Sequence, residues 1–232
     1  VVRVHPISYR DKGFLSHPNI RQKTFVIFIR ENLQLDAIWF YAVWTIGSYL
    51  VGSALVGDLV CRAKGIDIRK LGTGNPGTAN IWRQVGPKYG IAVFVLDILK
   101  GVIVTLPLRL LDIELEWIAI SMFCMLAGQF FPIFFKFQGN TGMAALFGTA
   151  AGLIPLGAAI AAPIAIIKFG ITKNVGWSGG AFFAVSWVAG GLIYMNDWGW
   201  IGVVYLIAGS ALVFIKQYTQ YKNSPDKNKN SE

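Results

Sequence analysis

The sequence is poor in the side chains on which most enzyme chemistry relies. Among its 232 residues there are two cysteines and two histidines, and only 14% of the chain is charged, against roughly a quarter in an average soluble domain. Cys61 and Cys124 both lie in apolar segments, which excludes a zinc cluster and a disulfide framework. His5 and His17 precede the first long apolar run, so a membrane-embedded histidine base has no candidate. Neither a metal nor a cofactor is expected on this donor set. Acidic residues are also scarce, 12 against 21 basic ones for a net charge of +9. In so apolar a chain the positive-inside bias and anionic lipid headgroups account for that excess first. No nucleic-acid-binding motif is present, and no nucleic-acid partner is expected.

What the chain has in abundance is apolar length. It is 54% hydrophobic, and several runs approach or exceed the ~20 residues that cross ~30 Å of hydrocarbon as helix. The runs are continuous and not alternating, which favours helices over a transmembrane barrel. The expected fold is all-α: a polytopic integral membrane helical bundle of about seven transmembrane segments, two of them short.

Residues 1–36 are mixed and polar, with Arg3, Arg10, Lys12, Arg21, Lys23 and Arg30 around a run from Phe25 to Ile29 that is too short to span. They read as a basic N-terminal extension and not as a signal peptide, because no small-residue cleavage site follows the first long apolar run. A membrane domain is expected over 37–216 and a polar cytoplasmic tail over 217–232. The first span is placed at about Ala37 to Cys61. The loop from Arg62 to Lys88 carries Arg62, Lys64, Arg69, Lys70, Arg83 and Lys88 against Asp67 alone, which assigns it to the cytoplasm. A second span, about Tyr89 to Leu111, leads to an external turn with Asp112, Glu114 and Glu116; a third, Trp117 to Phe137, returns to the cytoplasm at Gln138 to Gly142.

The 27 residues from Met143 to Phe169 are too many for one span and too few for two full ones. Counted as two short helices broken near Pro155, they put Lys168, Lys173 and the Lys-rich tail inside, after spans at about Gly179 to Met195 and Trp198 to Ile215. The N-terminus is then outside and the C-terminus cytoplasmic, although the basic N-terminus runs against the same rule. Helices of ~12 residues reach only ~18 Å and need shelter from neighbouring protein. Gly47, Gly52 and Gly57, then Ala144, Gly148 and Gly152, have the small-residue spacing of close helix packing.

The most informative stretch is Gly72-Thr73-Gly74-Asn75-Pro76-Gly77-Thr78-Ala79-Asn80-Ile81-Trp82-Arg83, on the basic loop. Its glycines let backbone N–H groups turn toward an anion, hydroxyls and amides add neutral donors, and Arg83 supplies a planar cation suited to phosphate. A phosphate cradle and a glycine-rich connector are both compatible with it. It lacks the Lys-Ser/Thr ending of a Walker loop and the Rossmann glycine spacing. Asp97 and Lys100, at i and i+3, share one helical face, either as a structural ion pair or as a substrate contact. Asp58, Asp97 and Lys100 near apolar spans also raise a small transporter as an alternative class, but no inverted repeat is visible.

The stretch resembles the signature loop of the bacterial acyl-phosphate:glycerol-3-phosphate acyltransferases, Gly-Ser-Gly-Asn-x-Gly-Ala-Thr-Asn-x-x-Arg. Thr73 stands for the Ser, Asn75, Gly77, Asn80 and Arg83 are retained, and Thr78-Ala79 reverses a pair. Gly65-Ile66-Asp67-Ile68-Arg69 and Leu96-Asp97-Ile98-Leu99-Lys100-Gly101 resemble the family too. Its second motif, Gly-His-x-x-Pro-x-x-x-x-Phe-Lys-Gly-Gly-Lys-Gly, stands here as Gly128 to Gly142, with Gln129 for His, Gln138 for Lys, Asn140 for Gly and Thr141 for Lys. The family's Thr-Arg-x-x-Ser is Thr172-Lys173-Asn174-Val175-Gly176, and its His-Arg-x-Asn-Ile is Gln217-Tyr218-Thr219-Gln220-Tyr221.

The resemblance implies transfer of an acyl group from acyl phosphate to the 1-hydroxyl of glycerol 3-phosphate, giving lysophosphatidate, by a multi-pass protein of the bacterial inner membrane surrounded by lipid. It implies catalytic roles for Thr73, Arg83 and Thr141. Phosphate contacts are implied for Gly74, Asn75, Gly77, Thr78, Asn80, Gln138, Gly139 and Gly142, with Asp97 and Lys100 in support. The exchanged lysines and histidine leave a second expectation open: a catalytically impaired member acting as a lipid-binding or scaffolding membrane protein. Acyl-chain preference and oligomeric state are not legible.

Overall fold

Proline and glycine punctuate the apolar runs, and the helices begin and end accordingly. The structure, a computed structural model, describes residues 37–172, 175–195 and 199–222. The expected extension 1–36, Lys173, Asn174, residues 196–198 with the expected start of the last span at Trp198, and residues 223–232 lie outside the described residues. Helices are the only regular elements among those described: α1 (Ala37–Ser53), α2 (Val56–Ala63), α3 (Thr78–Gln84), α4 (Pro87–Leu110), α5 (Leu115–Phe130), α6 (Met143–Leu153), α7 (Pro155–Thr172), α8 (Val175–Ile193) and α9 (Gly199–Lys222), with 3-10 turns at Ile68–Lys70 and Ile133–Phe135. Five helices (α4, α5 with its following turn, α7, α8 and α9) are long and apolar enough to cross a membrane. The pair α1–α2, bent by 40°, makes a sixth, and α6 is a shorter apolar helix. The all-α bundle of about seven segments is therefore observed, with two departures from expectation.

The first departure is in the opening span. Ala37 to Cys61 was expected to be one helix, and it breaks between Ser53 and Val56. No proline causes this; the surroundings do. A Cβ on Gly52 would lie 2.1 Å from the Met125 carbonyl oxygen, so α1 and α5 touch backbone to backbone. The carbonyl of Ala54, freed at the break, is taken by the buried Lys100 ammonium, which offsets the cost of an unpaired carbonyl in the interior.

The second departure concerns length. The 143–169 segment breaks where expected, with α7 starting at Pro155, but α7 has 18 residues and so reaches ~27 Å. Only α6, with 11 residues, is short. Nearly every side chain of α6 is buried, which gives it the shelter it requires. It runs parallel to α4 with backbones in contact. A Cβ on Gly148 would lie 1.9 Å from the Ile98 carbonyl oxygen, and one on Gly152 2.1 Å from Thr105 Oγ1, while Gly101 faces Ala145 in the same way. Arg109 closes the register by donating to the Leu153 carbonyl. Gly57 is also a close-packed glycine, against Pro76, whereas Gly47 faces open space and is not.

The main core gathers Met122, Met125, Leu126, Leu146, Phe183 and Leu206. A separate small cluster of Cys61, Ile68, Ile81 and Val93 seats the loop between α2 and α3 on the start of α4. At the opposite end of α4, Tyr41 stacks on Trp117 at 4.2 Å and donates to Glu114 at 2.8 Å.

Candidate active site

The first glycine loop is braced from within. Ile68 and Ile81, both buried in the small cluster, pin its two ends. Between them the chain reverses at Gly72 and Gly74, whose φ angles of +54° and +68° a residue with a Cβ adopts only under strain. The Asn80 amide, 3% exposed, closes the loop from both sides. Its Nδ2 donates to the Leu71 carbonyl at 2.9 Å and its Oδ1 accepts from the Thr73 N–H at 3.2 Å. Asn75 Oδ1 accepts from the Gly77 N–H at 3.1 Å, a turn typical of Asn. Thr78 opens α3, and its buried hydroxyl has no hydrogen-bond partner among the described residues. Arg83, one turn on, is exposed and donates from Nε to the Ala79 carbonyl at 3.0 Å. That bond fixes the stem and leaves the guanidinium head directed to solvent. Trp82 beside it packs edge-on against Phe169 of α7 at 6.1 Å.

The second loop, between α5 and α6, repeats the device. Asn140 Oδ1 accepts from the Gly142 N–H at 3.0 Å, and the Asn140 N–H donates to the Gln129 carbonyl at 2.9 Å. Gly142 has φ +71° and leads directly into α6. Gly139 is fixed as glycine by space, since a Cβ there would lie 2.0 Å from the Gln129 carbonyl oxygen. Lys136 and Phe137, also at positive φ, turn outward and are exposed. Thr141 is half-buried and the Gln138 side chain is exposed.

Three ties bring these loops to one end of the bundle. Arg69 Nη2 donates to the Gln138 carbonyl at 2.6 Å and is paired with the Asp58 carboxylate on α2. Asp58 is 4% exposed, and Arg62 stands 3.9 Å from its other oxygen. Gln220, near the end of α9, donates to the Gly139 carbonyl at 3.0 Å. Lys216, one turn earlier, reaches the Phe130 carbonyl at 3.4 Å. Arg69 thus joins the turn before the first loop to the second loop at Gln138, and Gln220 and Lys216 join the second loop to the last turns of α9. Asp97 and Lys100 sit beneath it on α4, buried and joined at 2.7 Å. The Gln129 amide reaches toward Asp97, yet neither of its buried polar atoms completes a hydrogen bond.

Asp58, Arg69 and Gln220 had not been read from the sequence as site residues. A signal existed for the first two: an acid inside an apolar segment needs a cationic partner, and Arg62, Lys64 and Arg69 follow it closely in the chain.

Residues 42–224 match the glycerol-3-phosphate acyltransferase family. Glycerol-3-phosphate acyltransferase 1 of Deinococcus radiodurans is 34% identical over 152 residues, 64% of this chain and 75% of the relative. Glycerol-3-phosphate acyltransferase 4 of Dehalococcoides mccartyi is 38% identical over 112 residues, 48% of each chain. The chain thus spans from about half to three quarters of the length of these relatives. Among solved structures, the glycerol 3-phosphate form of PlsY (YgiH), an integral membrane glycerol 3-phosphate acyltransferase, superposes with a TM-score of 0.69 at 24% identity, covering 78% of this chain and 90% of that one. Its lysophosphatidic acid form gives 0.65 at 25% identity, covering 76% and 87%. With four fifths of its length matched and the bundle superposed, the chain belongs to the glycerol-3-phosphate acyltransferase family.

Proposed function

We propose that this protein transfers an acyl group from acyl phosphate to the 1-hydroxyl of glycerol 3-phosphate. The observation that supports the reading is the tie made by Arg69, from the turn that leads into the first glycine loop, to the Gln138 carbonyl of the second. The hydroxyl oxygen attacks the acyl carbonyl, the bond from that carbon to the phosphate oxygen breaks, and the proton leaves with inorganic phosphate. The donor is already an activated mixed anhydride, so holding the two substrates in line and stabilising the departing phosphate supply much of the rate.

Within this reading Arg83 and Thr73 hold phosphate oxygens, with the backbone around Gly74 and the unpartnered Thr78 hydroxyl as further donors. Asn75, Asn80 and Gly77 act by shaping the loop, since their polar groups are engaged within it. Thr141, Gln138 and the backbone at Gly139 and Gly142 line the opposite wall. Asp97 and Lys100 support the wall from below by holding the α1–α2 break. The acyl chain lies among the lipid-facing helices. The loop end faces the cytoplasm of a bacterial inner membrane, with the N-terminus outside.

Two experiments test this. Purified protein supplied with acyl phosphate and glycerol 3-phosphate is expected to release lysophosphatidate and phosphate; no transfer by folded protein overturns the assignment. Single cysteines at Lys70 and Asn174 are expected to be labelled from the cytoplasmic side and one at Glu114 from outside. Labelling of Asn174 from outside reverses the topology.

A further inference from the structure

The second loop lacks cations at the two places where the family pattern has lysine, Gln138 and Thr141. A phosphate site that loses two charge-assisted contacts weakens by two or more decades unless charge returns from elsewhere. The basic residues near this end divide by what already engages them. Arg62 and Arg69 share Asp58, and Lys70 pairs with Asp67 at 3.4 Å. Lys100 is neutralised by Asp97. Lys64 bonds the Tyr89 hydroxyl at 2.9 Å, beside α4 and away from the second loop. Lys136 is on the second loop but turns outward, exposed, from a left-handed backbone.

Arg83, outside any ion pair among the described residues, is exposed and bonded back to Ala79 within the first loop; Lys216 differs from all of these. It is half-buried, and no carboxylate lies within ion-pair distance among the described residues. Its ammonium rests 4.8 Å from the centre of the Phe131 ring and 5.9 Å from that of Phe130. These contacts orient a cation without discharging it. The carbonyl oxygen that it reaches, that of Phe130, is one of the two oxygens against which Gly139 is packed, so the charge stands at the root of the second loop. One turn further, Gln220 is bonded into the same loop. The Oε1 atoms of Gln217 and Gln220 are buried and have no hydrogen-bond partner among the described residues. Unpaired buried acceptors beside an unpaired cation fit a ligand that carries both an anion and hydroxyl donors.

We propose that Lys216 of α9 supplies the phosphate-binding cation of the second loop in this protein, in place of lysines at 138 and 141. The inference rests on the acyltransferase reading above and adds to it the source of the missing charge.

The test uses the full chain in lipid nanodiscs, with acyl phosphate and glycerol 3-phosphate. Lys216→Gln is expected to raise KM for glycerol 3-phosphate about tenfold or more and to weaken inhibition by inorganic phosphate in proportion, with a smaller change in kcat. Lys216→Arg is expected to keep most of the affinity. Adding Thr141→Lys to Lys216→Gln is expected to restore it, which repair of packing alone could not do. Unchanged KM and phosphate inhibition in folded Lys216→Gln overturn the proposal. If that variant does not fold, Thr141→Lys in the wild-type background decides: little gain in affinity supports a site already charged by Lys216, and a gain of about tenfold or more counts against it. If the wild type transfers no acyl group, the acyltransferase reading fails separately. Calorimetric binding of glycerol 3-phosphate to wild type and Lys216→Gln still tests the cation, with equal binding overturning it.

Discussion

The two glycine loops at the site contain the same small turn, Asn75 to Gly77 in one and Asn140 to Gly142 in the other, yet they are held in different ways. The first is closed by its own residues: Asn80 bonds Leu71 and Thr73, and its ends are pinned by isoleucines within the same stretch. The second is held by partners far away in sequence, Arg69 from one side and Gln220 from the other. A loop that stabilises itself carries its instructions locally. A loop stabilised by its neighbours has a shape that depends on the whole bundle being assembled, and its energetics are coupled to helices distant in sequence.

Breaking the shared tie is expected to have the largest effect. Arg69→Ala removes the bond to Gln138 and leaves buried Asp58 with only the longer contact to exposed Arg62, a cost of about 2 to 4 kcal/mol. Thermal unfolding in detergent measures it, and hydrogen exchange is expected to rise in both loops. Asn80→Ala comes next, at about 2 kcal/mol for two buried hydrogen bonds. Here faster exchange is expected at 71–80 and not at 132–142; a response in both loops erases the distinction drawn above. Gln220→Ala is the smallest, about 1 kcal/mol for one bond, with increased exchange confined to the second loop and α9.

What could be read in advance followed the same division. The first loop, the Asp97–Lys100 pair and the break at Pro155 were legible because each is specified by residues adjacent in the chain: glycine and asparagine at turn positions, charges spaced i and i+3, and a proline that cannot continue a helix. The break between α1 and α2 was not legible. Ser53-Ala54-Leu55 contains no helix breaker, and the bend exists because Gly52 meets the backbone of α5 and Lys100 reaches across from α4 to the freed carbonyl. Asp58 was visible as an acid in an apolar segment, and it suggested a transported ion. Folding gives it instead to Arg69, which the linear order could not choose over Arg62. The length of α7 is not legible from the apolar run, which ends at Phe169, because the helix continues through Gly170 and Ile171 to Thr172.

The shortness of α6 also sets a depth. Its far end is level with Arg109, near the end of α4, and it climbs parallel to α4 for only 11 residues. Gly148 in its second turn meets the backbone of Ile98 and Gly101, well inside the longer helix. The second loop is therefore recessed roughly 10 Å below the Pro87 end of α4, at the 1.5 Å rise of a helix residue. On the acyltransferase reading proposed above, a water-soluble phosphate compound would descend to that depth from the aqueous side, whereas a donor with a lipid tail would meet it by sideways diffusion within the bilayer. One substrate would then be collected from three dimensions and the other from two, at a meeting point set by how few residues separate Gly142 from Pro155.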